Sequence, residues 1–165
     1  MKLSLALLGF TLGFNQFAFS MDCYDTNRVA KLANNNQQVL TWLKGTNTDW
    51  HRAYITGVVV LRKPDQTGHS HYVIDLDGDG KGDVEVIYQN DFGDIPSINQ
   101  GNTITACGDF KVDHQNFSSG GFVHWVHCNP RNKEPNHANG FVAVNGVTYG
   151  VNAPAGEPAC KMPNF

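Results

Sequence analysis

Asp75, Asp77 and Asp79 alternate with Leu76 and Gly78 in the stretch DLDGDGKGD, residues 75–83, which Asp83 closes. Asp75, Asp77, Asp79 and Asp83 fall at positions 1, 3, 5 and 9 of an EF-hand-type loop. Gly80 stands at the sharp turn and Lys81 at the position that offers a backbone carbonyl. Calcium takes six to eight hard oxygen ligands, and carboxylates so spaced on a turning backbone can supply them. Without a cation, each carboxylate pair 4 Å apart costs about 1 kcal/mol in bulk water and more beside protein. The twelfth position, where an EF-hand has its bidentate Glu, is Val86, and Glu85 comes one residue early. The spacing therefore predicts a structural calcium site with Kd on the order of 10⁻⁴–10⁻³ M. A solvated acidic turn, which Asp-Gly dipeptides can form without a metal, is the alternative.

Histidine supplies the second set of chemistry-bearing residues. His71, His124 and His127, with Arg131, form a candidate polar ligand-binding site. Imidazoles can bind a transition metal or exchange protons, and a guanidinium can hold phosphate or carboxylate. The alternative is that each ring bonds backbone and that Arg131 pairs with Asp109 or Asp113. On a regular strand, residues three apart face opposite sides, so joint ligation by His124 and His127 is disfavoured. No Ser-His-Asp order, nucleotide-binding loop or paired catalytic carboxylates are present.

These residues need strands to position them. "HYVIDL" and "DVEVIY" flank the acidic loop as arms of a hairpin. "AYITGVVVLR" precedes them and ends in the turn chemistry of Pro64-Asp65. "TITACGDFKV" and "GGFVHWVHC" read as a long hairpin, which places Trp125 with Phe110 in the core. "GFVAVNGVTYG" reads as a short one with Asn145-Gly146 at its turn. Before the strands, Val29, Leu32, Ala33, Val39, Leu40 and Leu43 recur at helical spacing, interrupted by Asn34-Asn35-Asn36. They predict one helix or two short ones within residues 21–50, stopped by Gly45. Residues 51–150 form the β domain, and the proline-rich residues 151–165 an extended tail. The class is mainly β: a small antiparallel barrel or strongly bent sheet with an N-terminal helix.

Cys23, Cys107, Cys128 and Cys160 lie far apart without a CxxC pair, which favours two disulfides over zinc. Three pairings are possible. A regular long hairpin would set Cys107 opposite Cys128, leaving Cys23 and Cys160 to join the chain ends. Residues 1–20 have the basic, apolar, small-residue order of a secretory signal peptide. No later stretch is apolar enough to cross a bilayer. Beyond that leader the chain has 11 basic and 15 acidic residues, and five of the acids sit in residues 75–85. The body is otherwise balanced, which disfavours a sequence-independent grip on nucleic acid.

Three segments together resemble a known family. "TGVVVLRKPDQTGHSH", "GGFVHWVHCNPR" and "NGFVAVNGVTY" are similar, in order and spacing, to DUF3465, a family of bacterial exported domains. The matching positions are His71, His124, Trp125, His127, Pro130, Arg131, Asn145 and Gly146. Cys128-Asn129 stands where the family tends to have His-Asp, and the acidic loop is an addition to the family pattern. The resemblance implies an OB-like fold and export, and no activity. The resulting expectation is a monomeric, secreted or periplasmic OB-like binding module, disulfide- and calcium-stabilised and non-catalytic. Its ligand would be an oligosaccharide, a protein or a nucleic acid. A metal-assisted phosphoester hydrolase using His71, His124, His127 and Arg131 is the alternative.

Overall fold

The computed structural model describes residues 21–130 and 137–160. The leader expected at residues 1–20, Arg131 and residues 161–165 lie outside the described residues. One helix, α1 (Asn36–Leu43), precedes seven strands. They are β1 (His51–Gln66), β2 (His69–Asp75), β3 (Val84–Gln89), β4 (Thr103–Val112), β5 (Gly121–His124), β6 (Phe141–Val144) and β7 (Val147–Tyr149). All seven join in one sheet, in the order β1-β2-β3-β5-β4-β6-β7, and β1 pairs with β4 as well. The fold is mainly β, as expected, but not wholly antiparallel. β3 and β5 run parallel, with Glu85 opposite Phe122 and Val86 opposite Val123.

Turn chemistry sets the short connections. Thr67-Gly68 and Asn145-Gly146 both have positive φ, the backbone that two-residue hairpins require. β1 runs on past its expected end at Pro64, because a register irregularity between Lys63 and Gln66 accommodates a residue without an N–H. One face of the sheet buries Ile55, Val59, Ile74, Val84, Val86, Tyr88, Ile104, Phe110, Val123 and Val142.

The helix is shorter than its apolar stripe suggested. Val39 is buried and the Gly45 N–H caps Trp42 as expected, but Val29 is 81% exposed and residues 22–35 are irregular. Asp25 caps a tight turn there through the N–H groups of Val29 and Ala30. The asparagine run has its own task, because the first half of β1 has one edge without a neighbouring strand. Asn35 accepts from the Tyr54 N–H at 2.8 Å and donates to the Arg52 carbonyl. Asn36 accepts from the Thr56 N–H and donates to the carbonyls of Thr56 and Leu76. Side-chain amides thus satisfy backbone groups that another strand would otherwise pair.

The disulfides correct the expected pairing. Cys23 joins Cys107 and Cys128 joins Cys160, with Cα separations of 5.6 and 5.8 Å. The long hairpin is displaced by two residues from the expected register, so Asp109 faces His124 and Phe110 faces Val123. β5 also stops at His124. Cys107 therefore lies between Tyr54 of β1 and Phe141 of β6, with Cys128 beyond the end of the ladder.

Candidate functional site

Two clusters carry the polar chemistry. In the acidic loop, Asp75 organises the backbone: its Oδ1 accepts the N–H groups of Asp77 and Gly78, and its Oδ2 that of Gly80 at 2.7 Å. Gly80 has φ of 83°, which suits a residue without Cβ. One oxygen each from Asp75, Asp77 and Asp83 lies within 4.8 Å of the others, a set that could hold a metal ion. Asp79 stands outside that set and pairs with the Lys81 ammonium at 2.8 Å. So of the expected side-chain ligands the fold gathers three, and turns the fourth toward Lys81.

The loop's electrostatics are uneven. Burial pushes the Asp75 carboxyl up, yet its three backbone hydrogen bonds outweigh that and leave it below the ordinary carboxylate range. Asp79 is lowered by its bond to Lys81. Asp83 is raised, first by burial and then by the charges of Asp77, Asp75 and Asp79, against the Leu76 N–H at 2.7 Å. A divalent cation would relieve that repulsion directly.

The second cluster grows from the end of β5. Trp125, immediately after His124, has φ of 54°, in the left-handed region that an aromatic residue rarely adopts. That turn breaks the strand alternation that would have separated His124 from His127. Their ring centres lie 6.3 Å apart. The Gly140 backbone packs directly on the Trp125 and Cys107 carbonyls, where a Cβ has no room. The Gly140 N–H also bonds the His127 carbonyl at 2.7 Å. Trp125 itself is partly exposed and stacks on His137, with ring centres 4.0 Å apart, so it is not the core residue expected.

Buried groups fix this arrangement. Asp109 bonds Arg52 through one oxygen at 2.8 Å and His137 through the other at 2.6 Å. Arg52 also donates to the Tyr24 and Asn139 carbonyls. Asp109 therefore joins Arg52 to His137, while the expected pairing with Arg131 lies outside the described residues. Glu85, buried on the outer face of β3, bonds Lys63 and the His71 Nδ1. His127 stacks on Phe92, 3.8 Å between ring centres, and His69 approaches His124 to 5.3 Å.

The imidazoles influence one another. Burial, followed by the rings of His127, His69, His137 and His71, pushes His124 down to about 4. Burial chiefly, against its bond to the Cys128 carbonyl, does the same to His127. Both rings are uncharged at neutral pH. Beside them lies a cleft of about 600 Å³ lined by Gln89, Asp91, Phe92, Trp125, Asn129 and Glu157, among others. The tail contributes Pro154, Ala155 and Glu157 to its wall, held near by the Cys128–Cys160 disulfide.

Of the expected binding residues, the fold brings His71, His124 and His127 into one electrostatic neighbourhood. The sequence reading missed His69, His137, Trp125 and the tail. The turn dipeptide before His69 was a usable signal, because it places that residue first in its strand. Nothing local marks His137. Comparison with family models, with curated proteins and with solved structures finds no match.

Proposed function

We propose that this chain is an extracytoplasmic, non-catalytic OB-type binding module that takes an oligosaccharide in the cleft beside Trp125. The cleft carries the reading. Its volume is in the range of ligand sites, and it combines an aromatic platform with amide and carboxylate groups. Asp91 on its wall disfavours a polyanion. The strand pairings support the OB assignment: β1-β2-β3-β5-β4 and back to β1 is a cycle with one parallel step. The resemblance to DUF3465 points the same way, since Trp125, His127 and Pro130 of the HW-x-H-x-x-P segment line the cleft. Two disulfides favour an oxidising compartment outside the cytoplasm.

Calcium is the ion assigned to the acidic loop, where hard carboxylates converge at the turn of the β2–β3 hairpin. Its role is to staple that hairpin. Calorimetric titration with cello-, chito- and malto-hexaose tests the ligand class, with a deoxythymidine oligonucleotide as counter-probe. Binding of one sugar series that Trp125→Ala abolishes in a folded protein is the expected result. Preferential binding of the oligonucleotide would overturn the oligosaccharide assignment. Zinc- or manganese-dependent hydrolysis of a phosphodiester, lost in His124→Ala, would replace the binding module with an enzyme.

A further inference from the structure

We propose that His69, His124 and His127 bind a transition-metal ion of the zinc, copper or nickel class, at a site separate from the acidic loop. The hydrogen bonds fix the donor atoms. His69 Nδ1 lies 2.9 Å from the Thr67 carbonyl oxygen, and His127 Nδ1 lies 2.8 Å from that of Cys128. A carbonyl can only accept, so in both rings Nδ1 carries the proton and Nε2 presents its lone pair. Such an outer bond to backbone is the one that orients a metal-ligating imidazole. His124 completes the set: its Nε2 is buried and has no hydrogen-bond partner. An unmet buried polar atom is destabilising, and a metal bond would satisfy it.

The spacing is close to what a shared ion needs. Two imidazoles on one tetrahedral metal, each at about 2.1 Å, put their ring centres roughly 5 Å apart. His69 and His124 stand at 5.3 Å, and His124 and His127 at 6.3 Å. Among the described residues, the trio whose donor atoms already lie within 4.8 Å is the aspartate one. At least one pair of imidazole donor atoms stands farther apart than that and must draw together on an ion. His71 is built the same way, with Nδ1 on Glu85 at 2.7 Å and Nε2 buried without a partner. Imidazole nitrogens select borderline ions, whereas the aspartate oxygens select hard ones, so the two sites divide the metals between them.

The test is titration of the tag-free protein with Co²⁺, followed by its visible ligand-field bands, and with Zn²⁺ by calorimetry, both in saturating calcium. One ion per chain is expected, weakened at least about tenfold by His69→Ala and by His124→Ala. His69 begins β2 beside the hairpin turn, so its truncation spares the core and keeps the test informative if His124→Ala misfolds. Absence of one-to-one binding in the parent would overturn the proposal. Binding that His69→Ala leaves intact would do the same.

Discussion

At the scale of single residues, protonation and metal binding give the sharpest expectations. Burial in the fold pushes His124 and His127 down from an ordinary 6.5 to about 4. Between those values the unfolded state holds more protons, so stability is full above pH 6.5 and is lost as the pH falls toward 4. Asp83, whose pKa is raised, acts in the opposite sense just above its ordinary 3.8. Two histidines outweigh one aspartate, and thermal melting followed from pH 7 to pH 4.5 should show Tm falling by several degrees. A flat profile would mean that these rings are solvated. The aspartate set was legible because ligand spacing within one tight turn is written in consecutive residues. His69 and His137 were not, since their partners lie 55 positions away in His124 and 28 away in Asp109.

Among the elements, the displaced hairpin explains most of what the sequence concealed. Strand identity was readable from β-branched runs and turn dipeptides: each of the seven strands overlaps a segment those signals mark, although β1 runs on past Pro64 and β5 stops at His124. The end of β5 was not readable. Val126 and Cys128 are fully buried and continue an alternating pattern, while the backbone has already turned at Trp125. That hidden turn made the Cys107–Cys128 pairing look favourable. It also frees Cys128 to hold the tail against the cleft. Replacing both Cys128 and Cys160 by serine should therefore weaken oligosaccharide binding while the circular-dichroism spectrum stays that of a folded sheet. Undiminished affinity in that variant would show that the tail is no part of the site. Removing Cys23–Cys107, which spans 84 residues against 32, should cost about 1 kcal/mol more in denaturant unfolding.

For the molecule as a whole, the proposed function gives the acidic loop the ion and the aromatic cleft the ligand. The loop joins β2 to β3, and both strands continue from there toward the end where His69 lies, so an ion held in the loop would stiffen the frame of that end. With Kd near the weak end of the calcium range, 5 mM calcium should add about 1–2 kcal/mol, a rise in Tm of roughly 3–8 °C. Asp77→Ala should abolish that rise, and an equal rise in the variant would remove calcium from the loop. Amide NMR spectra of the calcium-loaded protein, recorded with and without the oligosaccharide series that binds, locate the ligand. Shifts should concentrate at Gln89–Phe92, His124–Pro130 and Pro154–Glu157. Shifts confined to the acidic loop or to the β6–β7 hairpin, with the Trp125 indole signal unmoved, would contradict that placement.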